Sequence, residues 1–211
     1  MPLLIDKQKF LDALPFHLTP EISDGLKFLL GAIQEDPGFA QIPDVAYFLA
    51  TIRWESASTF QPVKERRADP TANPQLYQLQ DRYWNTGFFG RGYVQITWER
   101  NYQNAGQRLA GMTFQLPSRS VTMQADTLVN EPDLALEPPI AYQIAARGMR
   151  EGWFTGHKLR DYIPAGQPPD YFNARKIING LDHSKAIARY ARAFEKFLRE
   201  AIQTAAESAP A

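Results

Sequence analysis

Apolar positions along the chain repeat mostly at helical spacing. Ile22, Leu26, Leu29, Leu30 and Ile33 fall on one helical face, and Thr19-Pro20 just before them combines a capping hydroxyl with a proline suited to a first helical turn. A second helix is predicted to open near Pro43-Asp44 and to carry Val45, Phe48, Leu49 and Ile52. A third is predicted from about Pro139 to Glu151, with Ile140, Ile144, Ala145 and Met149. A last one is predicted from about Lys185 to Ile202, with Ile187, Tyr190, Phe194, Phe197 and Leu198. Residues 57–90 break this rhythm. They are rich in Pro, Asn, Asp and aromatics, and read as one long irregular region of the kind that often carries function. Strand signal is sparse. The best candidate is Tyr93-Val94-Gln95-Ile96-Thr97-Trp98, where polar and apolar positions alternate. The pattern therefore predicts a mainly α chain with a small sheet. It is read as one domain over 1–205, with 206–211 a disordered tail.

Composition narrows the chemistry. The 211 residues are 44% hydrophobic and 22% charged, ordinary values for a folded chain. The 23 basic and 23 acidic residues balance, so a general electrostatic grip on nucleic acid is not expected. Cysteine is absent, which excludes disulfides, thiolate nucleophiles and cysteine zinc sites. His17, His157 and His183 are not spaced as a local metal pair, so neither a metal nor another cofactor is expected. No apolar run approaches the roughly 20 residues of a membrane span, so no membrane insertion is expected. Met1-Pro2-Leu3-Leu4-Ile5-Asp6-Lys7 lacks the pattern of a secretory leader, so the expected place of synthesis and folding is a cytoplasm.

One residue breaks the binary pattern of the helix at Pro43. Glu55 is seven residues after Phe48, within about 20° of it around the helix, and three after Ile52. It thus continues the apolar stripe at the negative end of the helix dipole. A buried ionised carboxylate there costs several kcal/mol, by the usual desolvation estimate of ~3–5. Glu55 is therefore paired with a cation such as Arg53 or Lys64, or exposed at the helix end, or kept protonated to donate a proton. Glu65 follows in Gln61-Pro62-Val63-Lys64-Glu65-Arg66-Arg67, either as part of a solvated charge run or as a second, ionised carboxylate. An acid and a base facing each other suit glycosidic hydrolysis.

Gly90-Arg91-Gly92 superficially resembles a phosphate-binding loop, but Gln95 occupies the place of the third glycine and the segment leads into a strand signal. On that strand Tyr93, Gln95 and Thr97 would share a polar face able to bind sugar hydroxyls, N-acetyl groups and a water, or simply face solvent. Val94, Ile96 and Trp98 would face the core. Tyr77, Tyr83, Trp84, Phe88 and Phe89 could form a sugar-stacking wall or a small core of their own. Lys64, Arg66 and Arg67 could dock an anionic polymer or be a plain solvated loop.

Ala50-Thr51-Ile52-Arg53-Trp54-Glu55, Phe60-Gln61-Pro62-Val63-Lys64-Glu65, and Gly90-Arg91-Gly92-Tyr93-Val94-Gln95-Ile96-Thr97-Trp98 with Asn101-Tyr102 together resemble glycoside hydrolase family 19, the class I chitinases and related endolysins. Leu128 to Leu136, Gly152 to Gly156 and Asn173 to Gly180 continue the likeness in order over roughly residues 40–200. The resemblance implies a lysozyme-like fold, a helical bundle with a small β-lobe flanking a substrate cleft. It implies Glu55 as general acid, Glu65 as general base, Thr97 as a water-positioning group, and Gln95 and Asn101 as cleft residues. It also matches Asn179 to the family's asparagine and Arg189 to an arginine of the last helix that contacts the carboxylates. The chain departs in having Trp54 where many members have histidine, in lacking the plant enzymes' cysteines, and in its short acid-to-base segment. The implied activity is inverting cleavage of β-1,4 bonds in peptidoglycan after release or export of the enzyme. The alternatives are a chitinase, a non-catalytic glycan-binding protein on the same scaffold, and a helical interaction domain. The expected partner is the polysaccharide alone, with the protein a monomer.

Overall fold

The computed structural model describes residues 3–202, so the tail expected at 206–211 lies outside the described residues. In chain order the elements are α1 (Lys7–Asp12), α2 (Pro20–Glu35), α3 (Ile42–Glu55), β1 (Val63–Lys64), α4 (Pro74–Asp81), β2 (Arg91–Gly92), α5 (Glu99–Leu109), β3 (Thr113–Gln115), β4 (Ser120–Thr122), α6 (Thr127–Asn130), α7 (Pro138–Glu151), α8 (Leu159–Tyr162) and α9 (Ser184–Ala201). Three 3-10 turns lie at Trp84–Thr86, Pro132–Leu136 and Asn173–Ile177. The protein is mainly α, with two small antiparallel sheets, β1–β2 and β3–β4. The chain forms two compact units. One comprises the residues up to Phe60 and from Gly148 onward, the other Gln61–Arg147. Among the described residues no helix is long and apolar enough to cross a membrane.

The first unit is built on α3 and α9. The helix α3 is buried without interruption from Asp44 to Ile52, so it has no single apolar stripe and is enclosed on all sides. Its neighbour α9 is amphipathic in the ordinary way: Ile187, Ala188, Ala191, Phe194, Leu198 and Ala201 are buried on one face. Truncating an enclosed side chain such as Leu49 to alanine would cost about 2–5 kcal/mol. Thr19 caps α2 as its sequence predicts, accepting from the Ile22 N–H at 3.3 Å. Beyond α3 the chain turns sharply through Ala57, Ser58 and Phe60, all with positive φ. Ser56 Oγ accepts from the Phe60 N–H (3.0 Å), and the Phe60 ring meets Phe194 edge-on.

The second unit departs from its sequence-based expectation in two places. The irregular region contains α4, started by Asn73, whose side chain accepts from the Leu76 N–H, and by Pro74 in the first turn. The strand expected at Tyr93–Trp98 does not form. Strand β2 ends at Gly92, which adopts φ +85 and lies so close to the Ala135 carbonyl that a Cβ would stand 2.8 Å from its oxygen. The chain then folds back, so that Arg91 and Ile96 exchange backbone hydrogen bonds (3.1 and 3.3 Å) around a tight turn. Gln95 has φ +54 and Trp98 φ +75. The two faces expected of a strand are therefore replaced. Tyr93 and Val94 are both buried, whereas Trp98, expected in the core, is exposed at the start of α5.

Candidate active-site residues

Glu55 ends α3 in the first unit. Its partner is neither Arg53 nor Lys64 but Arg175, whose side chain is 3% exposed and donates from Nη1 to Glu55 Oε1 at 2.5 Å. The same guanidinium donates from Nε to the Asp182 carbonyl (3.2 Å) and from Nη2 to the Asp182 carboxylate (3.4 Å). Arg175 sits on the 3-10 turn after Phe172, and Asp182 on the loop before α9. Two segments outside α3 thus fix one oxygen of Glu55. Its side chain retains 16% exposure. Trp54 stacks against His183, ring centroids 4.4 Å apart. Arg53 points elsewhere, between Phe16 and Tyr190, with its guanidinium about 4 Å from each ring centroid. Burial lowers its pKa from the ordinary arginine value.

Asn179 lies four residues beyond Arg175 and is exposed; its N–H donates to the Arg175 carbonyl. Arg189 does not reach Glu55. It is exposed on α9 with its guanidinium over the Tyr190 ring, and the cation on the carboxylate is Arg175 instead. A residue on the solvent side of an amphipathic helix is turned away from what that helix packs against.

Glu65 follows β1 in the second unit and is held differently. Oε1 accepts from the Tyr83 hydroxyl (2.7 Å) and from Gln80 Nε2 (2.8 Å), and Oε2 from the Gly90 N–H (2.7 Å). All three donors are neutral. Gln80 is itself buried and clamped, donating also to the Arg66 carbonyl and accepting from the Ala68 N–H. Burial, and then the hydrogen bond to Glu65, raise the Tyr83 pKa above the ordinary tyrosine value.

Gly90 allows the approach. A Cβ there would stand 2.7 Å from Gln95 Oε1 and 3.1 Å from Glu65 Oε2. Gln95 spends both amide protons on backbone carbonyls, those of Val63 in β1 (2.7 Å) and of Gly92 (3.0 Å), leaving Oε1 as its free function. The Thr97 hydroxyl donates to the Gln95 carbonyl (3.0 Å), so its lone pairs can accept from water. Asn101 Nδ2 donates to the Thr97 carbonyl (2.7 Å). Glu65, Gln95, Thr97 and Asn101 are thus held around one turn. Tyr93 is not among the accessible groups: at 1% exposure its ring cannot meet a polymer, and its hydroxyl is buried without a partner.

The remaining aromatics are half-buried and contact one another or a neighbouring cation. Trp84 stacks on Phe89 (4.5 Å), Phe88 lies against Tyr102 (5.3 Å), and Arg67 sits over Tyr77 (4.1 Å). Lys64 and Arg67 are paired with Asp133 and Asp81, so these two cations are neutralised locally. Arg175, Asp182 and Gln80 escaped the sequence reading as site residues, and Tyr83, read as part of an aromatic wall or small core, instead donates to Glu65. No local spacing marks them, since their contacts to the two glutamates are made by folding. Among the described residues no group of three or more His, Cys, Asp or Glu is arranged to hold a metal ion. In comparisons with known proteins, no family model, no curated protein and no solved structure matches this chain.

Proposed function

We propose that the protein is a glycoside hydrolase of the family 19 type, with a lysozyme-like cleft, cutting β-1,4 bonds of a peptidoglycan-like polymer with inversion. The observation that carries this reading is the setting of Glu65, oriented by three neutral donors and bonded to no cation among the described residues. A carboxylate so placed can take a proton from water, and Thr97, its own proton committed to Gln95, can accept from that same water. In this reading Glu55 is the acid, and Arg175 orients it through Oε1, leaving Oε2 to face the leaving oxygen. Direct displacement by water requires the two carboxyl groups to stand about 6.5–9.5 Å apart in the productive state.

Proton NMR of the first products should show the α-anomer, and immediate β-anomer would end the inverting mechanism. Glu55→Gln should lower turnover about 10²–10⁴-fold while retaining binding, because an amide cannot donate the required proton. Mass spectrometry of products from purified peptidoglycan and from chitin oligomers, run in parallel, identifies the polymer; cleavage of chitin alone would assign a chitinase.

A further inference from the structure

Trp98 is the one large aromatic side chain of its turn left open to solvent, 37% exposed, and it is held there by an unfavourable backbone. A φ of +75 is costly for a bulky residue, by about 1–3 kcal/mol, and persists only where the surroundings impose it. Here the Trp98 N–H is tied to the Phe88 carbonyl (2.8 Å), and the indole meets the Tyr83 ring edge-on at 5.2 Å. Tyr83 in turn donates to Glu65, so a single ring separates the exposed indole from that carboxylate. The indole borders an open cavity of about 390 Å³ lined also by Thr86, Glu99 and Arg100. Arg82 lies 5.9 Å from the indole centroid. Among the described residues neither Arg82, which lies over the indole, nor Arg100 is ion-paired, so two guanidinium groups outweigh the single carboxylate of Glu99. No side chain caps the first turn of α5.

We propose that Trp98, Arg82 and Arg100 form a saccharide subsite specific for an acidic amino sugar: the indole stacks on the pyranose face, and the guanidinium groups hold a carboxylate such as the lactyl group of N-acetylmuramic acid. This deepens the hydrolase reading and rests on it, because it names which polymer the Glu65 turn faces. A flat aromatic surface suits the apolar face of a sugar ring, and a free guanidinium suits a carboxylate.

The test uses the full chain with Glu55→Gln, so that ligands survive titration. Calorimetry compares chitotetraose with an alternating tetrasaccharide of N-acetylglucosamine and N-acetylmuramic acid. The acidic ligand should bind about tenfold more tightly than the neutral one, and the preference should shrink with added salt. Arg100→Gln should reduce that preference while sparing chitotetraose. Trp98→Gly should weaken both ligands about tenfold; glycine relaxes the positive φ, so folding is not placed at risk. Trp98→Phe, which keeps a ring, should recover most of the affinity. Equal affinity for the two ligands, no binding of either, or Trp98→Gly binding like the parent overturns the subsite. Release of reducing ends by the unmodified protein is read separately. Acid-selective binding without hydrolysis would leave the subsite and remove the hydrolase, whereas hydrolysis without selectivity would remove the subsite and leave the hydrolase.

Discussion

The two glutamates are held by opposite means. Glu55 receives one strong contact from a buried cation supplied 120 residues away in sequence, and that cation is divided between it and Asp182. Glu65 receives three contacts from neutral groups within 25 residues of it. A guanidinium neutralises what it orients, whereas hydroxyl, amide and backbone N–H groups orient a carboxylate and leave its net charge in place. The same residue type is therefore oriented by two different kinds of donor, one charged and distant in sequence, the other neutral and nearer.

The comparison breaks first at Arg175. Replacing it with alanine should cost about 3–5 kcal/mol in urea unfolding, because it abandons a half-buried carboxylate and empties a packed site. Arg175→Lys should recover only part, since an ammonium cannot fork between Glu55 and Asp182. If Arg175→Ala were no more costly than loss of a neutral donor, the distinction between the two settings would fail. Next comes Tyr83→Phe, which removes one of three donors to a charged acceptor and should cost about 1.5–3 kcal/mol. Gly90→Ala sharpens the comparison from the backbone side. Its Cβ would press on Gln95 Oε1 and the Glu65 carboxylate, costing about 1–3 kcal/mol and reducing activity if Glu65 is the base.

The smallest effect belongs to Asp133. Its pKa is held below the usual carboxylate value of 3.8 by Lys64 foremost, and by Arg91. A depressed folded-state pKa adds stability above the unfolded pKa, and that stability is lost as pH falls through the folded value. The side chain is 62% exposed, so Asp133→Asn should cost under about 1 kcal/mol at neutral pH and flatten the acid limb slightly. Arg91 keeps its bonds to the Gly87 and Phe89 carbonyls and to the Tyr102 hydroxyl, and is not stranded by the change.

Four helices were legible in the chain because their signal is local. Thr19-Pro20 starts α2 by a cap and a fixed φ, and the apolar positions of α7 and α9 repeat on one face. The helix α4 was hidden because its burial is slight: Gln80 alone among its residues is fully buried, so no apolar period announces it, although Asn73-Pro74 is a sound start. The segment Tyr93–Trp98 reads as a strand although it forms a turn, because alternation of polar and apolar residues also arises in a turn that buries Tyr93, Val94 and Ile96. Glu55 stood out as a charge in an apolar pattern, and Glu65 through its place in a family-like motif. Arg175 carried no such mark, since an arginine in Asn173-Ala174-Arg175-Lys176 looks like any solvated basic pair.

The sequence by itself determined what depends on neighbours within a few residues: helix starts, the helical faces of α2, α7 and α9, and that Glu55 is a charge set in an apolar run, whereas the enclosure of α3 on all sides came from packing. Only the tertiary structure decided what each carboxylate would be bonded to, which side of the Gly92 turn each aromatic would take, and that Trp98 would face outward. The reason is one of range. Backbone propensity acts over one or two turns of chain, whereas a hydrogen bond to Glu55 or Glu65 exists only once folding has carried a distant donor within 3 Å.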